Sequence, residues 1–161
     1  NSHRWVLGVE VALGEQEVDW RQCLQRLVAR GLQGVQWIVG DDHAGLRAAR
    51  QAVFGGIPWQ RCQCHLQQNA QAYVPRREMR AEVAGRIREI FNAPNRAQAE
   101  QPLQALVAEM EKRAPRLAQW LEENLPEGFT VFALPEQHRR KLRTNNITEG
   151  LTREVRWRAR W

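Results

Sequence analysis

The sequence predicts an α/β fold in its first part, followed by an all-helical region and a final basic helix. Three observations lead to this prediction. Strand patterns alternate with helical patterns up to His65, no strand pattern occurs in residues 66–125, and arginines dominate the helical pattern that ends the chain. The 161 residues are enough to bury a sizeable core, and no apolar run is long enough to span a membrane.

The first 65 residues predict strands and helices in alternation. The first two strand segments are largely apolar and β-branched, whereas the helix segments repeat apolar residues at helical spacing and stop at glycines. The predicted strands are residues 4–13, 35–39 and 57–62, and the predicted helices are residues 17–30 and 44–54. Strands that are separated by helices pair in parallel, so we predict a parallel sheet covered by helices.

The rest of the chain predicts a helical insertion and a return to the sheet. Helical patterns cover residues 79–91 and 103–113, and Pro102 and Pro115 fit the first turns of new helices. Residues 126–143 predict a loop that crosses back, and residues 146–160 predict a last amphipathic helix. We therefore predict three segments, which are the first part of the α/β core at residues 1–65, the helical insertion with its return loop at residues 66–142, and the basic C-terminal helix that completes the core at residues 143–161.

Positive charge is concentrated at the C-terminal end. Residues 138–161 contain eight lysines and arginines against two glutamates, an excess of +6 that equals the net charge of the whole chain. Such a basic stripe is the usual footprint of a phosphate-backbone partner, and arginine holds phosphate with two parallel hydrogen bonds. A GC-rich genome would produce the same preference for arginine over lysine. The predicted DNA-binding residues are Arg139, Arg140, Lys141, Arg143, Arg153, Arg156 and Arg158.

Two acidic residues are candidates for metal binding. Asp41 follows the predicted strand 35–39, and ligands of open α/β sheets bind beyond the carboxyl ends of the strands. The alternative for Asp41 is a turn or N-cap residue before the next helix, although Asp42 fits that cap better. Glu149 is either the ion-pair partner of Arg153, four residues later, or a metal ligand that meets Asp41. Asn146 lies on the same helix face as Glu149 and is predicted to support it.

Cys62 and His65 have C-x-x-H spacing, which supplies half of a zinc site. The alternative is that these side chains brace the strand beside Asp41 through hydrogen bonds. The three cysteines of the chain, an odd number, fit the reduced thiols of a cytosolic protein better than a disulfide framework. Trp120, in the helical region, is open to two interpretations, core packing or stacking on a displaced base.

Three motifs, in order, cover essentially the whole chain. They read VQWIVGDDHAGL at residues 35–46, WQRCQCH at residues 59–65 and RTNNITEGLTRE at residues 143–154. They resemble the second-aspartate motif, the C-x-x-H motif and the N-x-x-E block of mutator-type transposases from bacterial insertion sequences. EENLP at residues 122–126 is also similar to that family.

The resemblance implies an RNase H-like core, here without its first strands, and a helical insertion between the second and third catalytic acids. It identifies Asp41 and Glu149 as those two acids, which hold Mg²⁺ (or Mn²⁺) during DNA cleavage and strand transfer. The implied partners are transposon ends, target DNA and a second copy of the chain. The implied location is the bacterial cytoplasm, at the nucleoid, without contact with a membrane.

The sequence departs from the family pattern in two places. The first catalytic aspartate is expected on a strand upstream of Arg4, and Asp19 does not replace it because Asp19 precedes a predicted helix. The residues after Glu149, GLT at 150–152, differ from the commoner serine and asparagine. We therefore expect a truncated copy without transposase activity by itself. The alternatives are a non-catalytic nucleic-acid-binding remnant and a zinc-stabilised interaction module.

Overall fold

A computed structural model of the chain describes residues 5–10, 14 and 16–158, apart from the side chains of residues 146, 147, 149 and 156. The described residues are mostly helical, with one small sheet. The helices are α1 (Glu17–Ala29), α2 (Ala44–Phe54), α3 (Gln63–Gln71), α4 (Met79–Phe91), α5 (Arg96–Arg113), α6 (Pro115–Asn124), α7 (Glu136–Leu142) and α8 (Asn146–Arg158), the strands are β1 (Ile38–Gly40) and β2 (Trp59–Arg61), and short 3-10 helices span Leu125–Gly128 and Thr130–Ala133. The chain forms two compact units, residues 1–38 with 42–58 and residues 39–41 with 59–161.

The two strands pair in parallel, as predicted. The N–H of Ile38 donates to the carbonyl of Pro58 over 3.1 Å, and the N–H of Cys62 donates to the carbonyl of Gly40 over 2.8 Å. Partner numbers rise together along both strands, which defines parallel pairing. A Cβ at Gly40 would collide with the indole ring of Trp59, so the close approach at this position requires glycine. The coarse prediction of an α/β chain is therefore confirmed.

The first unit consists mainly of α1 packed against α2. Helix α1 ends at Ala29, and Gly31, just after its C-cap Arg30, has a positive φ of 101°. The N–H of Leu32 donates to the carbonyl of Leu27, and the N–H of Gly31 donates to that of Val28, which is the hydrogen-bond pattern of a Schellman motif. The predicted stop at Gly31 is confirmed.

The predicted buried strand at residues 4–13 is wrong for residues 5–10, which form no strand and are exposed. Residues 11–13 lie outside the described part of the chain. A strand is stable only beside a hydrogen-bonded neighbour, and no described strand pairs with this segment. Polar contacts hold it against α1 instead, since Arg26 bonds Glu10 over 2.8 Å and Arg30 donates to the carbonyl of Leu7 over 2.8 Å.

The hydrophobic core lies in the second unit, where α3, α4, α5 and α6 pack around one cluster. Burying one leucine or isoleucine fully contributes about 1.5–3 kcal/mol, so these helices carry most of the apolar stabilisation of the unit. The fully buried apolar side chains include Leu66, Val83, Ile87, Leu106, Met110, Leu117, Leu121 and Leu125. The absence of strands from residues 66–125, all of which are described, is as predicted.

Of three predictions for the helical region, one agrees with the structure and two differ from it. Pro102 lies inside α5 and not in a first turn, because the Oδ1 of Asn95 accepts from the N–H of Gln98 over 2.9 Å and starts the helix six residues before the proline. Pro115 begins α6, as predicted. The predicted loop at residues 126–143 is largely helical, with the second 3-10 helix and α7. Among the described helices, none is long and apolar enough to cross a bilayer.

Candidate metal and DNA site

Asp41 directly follows β1 and faces the start of α3. Its Oδ1 atom lies 3.6 Å from the Nδ1 atom of His65. The Asp41 side chain is 47% exposed and that of His65 is 17% exposed. The imidazole is therefore largely buried, whereas solvent reaches the carboxylate. The arrangement places the Asp41 carboxylate beside the His65 imidazole at the end of β1.

Cys62 lies at the junction of β2 and α3 and is fully buried. Burial raises the pKa of the Cys62 thiol above its ordinary value, against the lowering effect of the backbone N–H groups of Asn145, His65 and Cys64. The thiol is therefore neutral at physiological pH and packs as a small apolar group. Within the described residues, no group of three or more histidine, cysteine or acidic side chains is arranged to hold a metal ion.

The segment that leads into α8 is attached to the same junction. The N–H of Gln63 donates to the carbonyl of Arg143 over 3.0 Å, and the N–H of Asn145 points at the thiol of Cys62. Asp41 and the segment just before α8 therefore both contact residues 62–65. The side chains of Glu149 and Asn146 lie outside the described part of the structure, so the predicted meeting of Asp41 and Glu149 stays a prediction.

The N-cap of α2 is His43, not Asp42. Asp42 instead accepts from the Nε of Arg47 over 2.6 Å, one turn into the helix. The predicted cap role of Asp42 is wrong, because the ion pair with Arg47 holds its carboxylate on the side of α2. Asp41 does not occupy the cap either.

The basic residues of α7 differ in what their side chains do. Arg139 donates to the carbonyls of Leu134, Pro94 and Phe132 over 2.8, 2.6 and 3.1 Å. Its guanidinium also lies 5.7 Å from the centre of the Phe132 ring. Arg139 therefore attaches α7 to the second 3-10 helix and to the segment between α4 and α5. The next residue, Arg140, is exposed.

The remaining predicted DNA-binding residues lie at the end of α7 and on α8. Lys141 is exposed, and Arg143 donates to the Oδ1 of Asn92 over 2.9 Å. Arg153 is exposed on α8, and Arg158 is exposed and pairs with Glu154 over 2.7 Å. The side chain of the remaining one, Arg156, is outside the described residues. DNA binding by this set stays a prediction.

Arg61 is a buried charged residue that the sequence analysis missed. Its side chain is 1% exposed, and its Nη1 donates to Asn124 over 2.9 Å and to Glu127 over 3.0 Å. Its guanidinium also lies 5.9 Å from the ring centre of Trp120. The signal that could have found it is an arginine inside a short predicted strand, since a buried charge needs partners.

Two glutamines complete this buried polar network. Gln60 and Gln63 both donate to the carbonyl of Gly128 over 2.9 Å, and Gln60 accepts from the N–H of Val131 over 2.6 Å. These bonds attach β2 and the start of α3 to the two 3-10 helices. The network positions the junction that Asp41 faces relative to the helical core of the same unit.

Trp120 packs in the core, in agreement with the first interpretation. Its side chain is 9% exposed, and its ring stacks on that of Tyr73 with 5.5 Å between centroids and 25° between planes. A base could not reach the Trp120 ring without displacing these neighbours.

Comparison of the sequence with known proteins shows the family to which the chain belongs. The sequence matches the family described as "Transposase, Mutator family" over residues 1–161. It is 54% identical over 157 residues to the transposase for insertion sequence element IS406 of Burkholderia multivorans, a match that covers 98% of this chain and 40% of that protein. It is 37% identical to the transposase for ISRM5 of Rhizobium meliloti, covering 99% of this chain and 40% of the relative, and 29% identical to that for IST2 of Acidithiobacillus ferrooxidans, covering 94% and 51%.

All three of these relatives are transposases for bacterial insertion sequence elements. The chain belongs to the Mutator family of transposases, as the three motifs indicated. It spans about 40% of the length of the first two relatives.

Proposed function

We propose that this chain takes part in DNA transposition, as the portion of an RNase H-like DDE enzyme that provides Asp41 and Glu149 as ligands of Mg²⁺ (or Mn²⁺). One observation carries the proposal. Asp41 and the segment just before α8 both contact the β2–α3 junction, and Glu149 belongs to the first turn of α8. A carboxylate at the end of a parallel strand and another on a helix that starts beside it form the donor set that this metal prefers.

The chain's own residues have separate tasks at this site. His65 lies beside Asp41, Cys62 is buried at the junction, and the bond from Gln63 to the carbonyl of Arg143 attaches the segment before α8 to that junction. A bound divalent metal would supply charge stabilisation to the attacking and leaving oxygens of a phosphodiester. Such stabilisation is largest where the groups that hold the metal need no reorganisation during the reaction.

DNA would lie along the exposed cations of α7 and α8. Arg140, Lys141, Arg153 and Arg158 are exposed there, whereas the bonds of Arg139 to carbonyls give it a positioning role. Each phosphate contact changes the slope of log affinity against log salt by about 0.9 for duplex DNA. Binding by this face is therefore expected to be salt-dependent and independent of base sequence.

Titration with Mn²⁺, followed by its electron paramagnetic resonance signal, tests the metal site. Asp41→Asn and Glu149→Gln should each weaken Mn²⁺ binding about tenfold or more, since each removes a charged ligand. Matched controls are Asp42→Asn beside the first acid and Glu154→Gln on the same helix as the second, and both should leave the affinity unchanged. Equal affinity in wild type and in either ligand variant would contradict the proposal.

DNA binding measured in the same samples separates this proposal from its alternative. If Asp41→Asn and Glu149→Gln both retain DNA affinity and bind Mn²⁺ as wild type does, the result would favour a non-catalytic nucleic-acid-binding protein. Loss of Mn²⁺ binding in Asp41→Asn with DNA affinity retained would favour the metal-dependent enzyme.

A further inference from the structure

We propose that the turn between α3 and α4 is a second DNA-contact surface, where arginines hold phosphates and an exposed tyrosine stacks on an unpaired base. We call it the α3–α4 surface, and it consists of Tyr73, Arg76, Arg77 and Arg80. The inference rests on the proposed function, because it adds a contact region to a chain that acts on DNA. The surface belongs to the helical unit and includes no residue of the predicted basic stripe.

The three arginines of this surface have no structural task in the described residues. All are exposed, and none of their side chains makes a hydrogen bond or ion pair there. Other arginines of the same unit are bonded, such as Arg86 to Glu109, Arg96 to Glu100 and Arg113 to Glu82. Folding therefore accounts for those arginines and not for the α3–α4 surface.

The local charge balance also favours an anionic partner. Residues 73–80 contain three arginines and a single acid, Glu78. Arg77 and Arg80 lie beside the positive end of the α4 dipole, where acidic side chains are the stabilising choice. Cations at this position cost folding stability, so their presence there needs another explanation.

The turn is held in one conformation. Val74 and Met79, at its two ends, are buried in the helical core. The N–H groups of Met79 and Arg80 donate to the carbonyls of Arg76 and Arg77, each over 3.1 Å. A phosphate partner would therefore meet arginines on a backbone that is already ordered, which lowers the entropic cost of binding.

Tyr73 adds an aromatic ring to this charged surface. Its side chain is 39% exposed, and stacking on Trp120 holds the ring at 25° to the indole plane. Arg116, one helical turn before Trp120 on α6, is another exposed arginine without a partner among the described residues. An ordered, exposed ring among unpaired arginines is the combination that binds single-stranded nucleic acid, where bases stack and phosphates pair with cations.

Fluorescence anisotropy with two labelled DNAs tests the surface, one a blunt duplex and one the same duplex with a short single-stranded 3′ overhang. The double variant Arg76→Gln/Arg77→Gln should lower affinity for overhang DNA about tenfold and reduce the salt slope by about 1.5–2. The matched control is Arg88→Gln/Arg96→Gln, which removes the same charge from exposed positions of the same unit and should change affinity about threefold or less. Thermal unfolding of both double variants checks that they are folded.

A second pair of variants tests the stacking role. Tyr73→Leu should reduce the preference for overhang over blunt DNA by about fivefold or more, because a stacked base contributes that much or more, while the salt slope stays unchanged. Tyr73→Phe keeps the ring and should retain the preference.

The outcomes separate this inference from the proposed function. DNA binding by wild type with equal losses in the arginine pair and its control would overturn the α3–α4 surface alone. Failure of wild type to bind either DNA would count against the proposed function itself. Binding of poly-glutamate that is lost in Arg76→Gln/Arg77→Gln, while the DNA affinity of that variant equals that of wild type, would assign the surface to an acidic protein partner and overturn the proposal.

Discussion

The ion pair between the buried Arg61 and the partly exposed Glu127 gives the sharpest test of how the helical unit holds the end of β2. Arg61 is 1% exposed, while Glu127 is 32% exposed, and their charged atoms lie 3.0 Å apart. Glu127→Gln removes the countercharge and leaves the charged guanidinium buried beside Asn124 and the Trp120 ring. Arg61→Met removes the guanidinium, keeps much of its volume and leaves a carboxylate that water already reaches.

The structure predicts that the glutamate variant is the more damaging one. Breaking a fully buried ion pair costs about 3–5 kcal/mol, and partial exposure of Glu127 reduces this to about 2 kcal/mol for Glu127→Gln. Arg61→Met loses two hydrogen bonds to a charged group but strands no charge, so we expect about 1 kcal/mol. The double variant should cost no more than Arg61→Met alone, since both partners have then been removed.

Urea unfolding followed by circular dichroism at the helical wavelength measures these differences. With a slope of about 2 kcal/mol per molar urea, Glu127→Gln should lower the midpoint by about 1 M. Gln119→Ala is a matched control, because it changes an exposed side chain on α6. A loss below about 0.5 kcal/mol for Glu127→Gln, or a double variant less stable than either single one, would refute the reasoning.

Three further predictions concern the core, the sheet and the surface ion pairs. Leu117→Ala empties a fully buried position and should lower the free energy of unfolding by about 2–5 kcal/mol, measured by thermal denaturation. Gly40→Ala should destabilise the parallel strand pair by about 1–3 kcal/mol, since the new Cβ meets the Trp59 indole, and faster amide exchange in β2 would report it. The hydrogen bond from Arg113 holds the pKa of Glu82 below its ordinary value, so the pair stabilises the fold above the ordinary glutamate pKa and loses this effect as pH falls through the lowered pKa. Arg113→Gln should therefore make stability less dependent on acid pH, and an unchanged pH profile of unfolding would contradict this.

Much of the local structure was predictable because it depends on neighbouring residues. Helix α2 begins and ends at the predicted residues, 44 and 54, since Gly55 and Gly56 interrupt its pattern. Helix α4 likewise spans the predicted residues 79–91. The start of a helix is harder to predict where one segment contains both a capping residue and a proline. Helix α5 begins after the Asn95 cap, and Pro102 lies inside it.

The candidate site was predictable only in part. Asp41 and the C-x-x-H pair could be named from motif spacing, and the structure brings Asp41 and His65 within 3.6 Å. The partners of Arg61 could not, because Asn124 and Glu127 lie 63 and 66 residues away in the sequence. The different tasks of Arg139 and Arg140 are equally hidden, since only their neighbours in space distinguish them.

By itself the sequence determined the limits of α2 and α4, the parallel order of the strands and the family, since periodicity, chain order and motifs are local properties of the chain. Tertiary structure alone decided that residues 5–10 form no strand, that Trp120 lies in the core and that Arg61 is buried among polar partners. Strand pairing and the burial of a charge or a ring depend on groups distant in sequence, and local patterns carry no information about those groups.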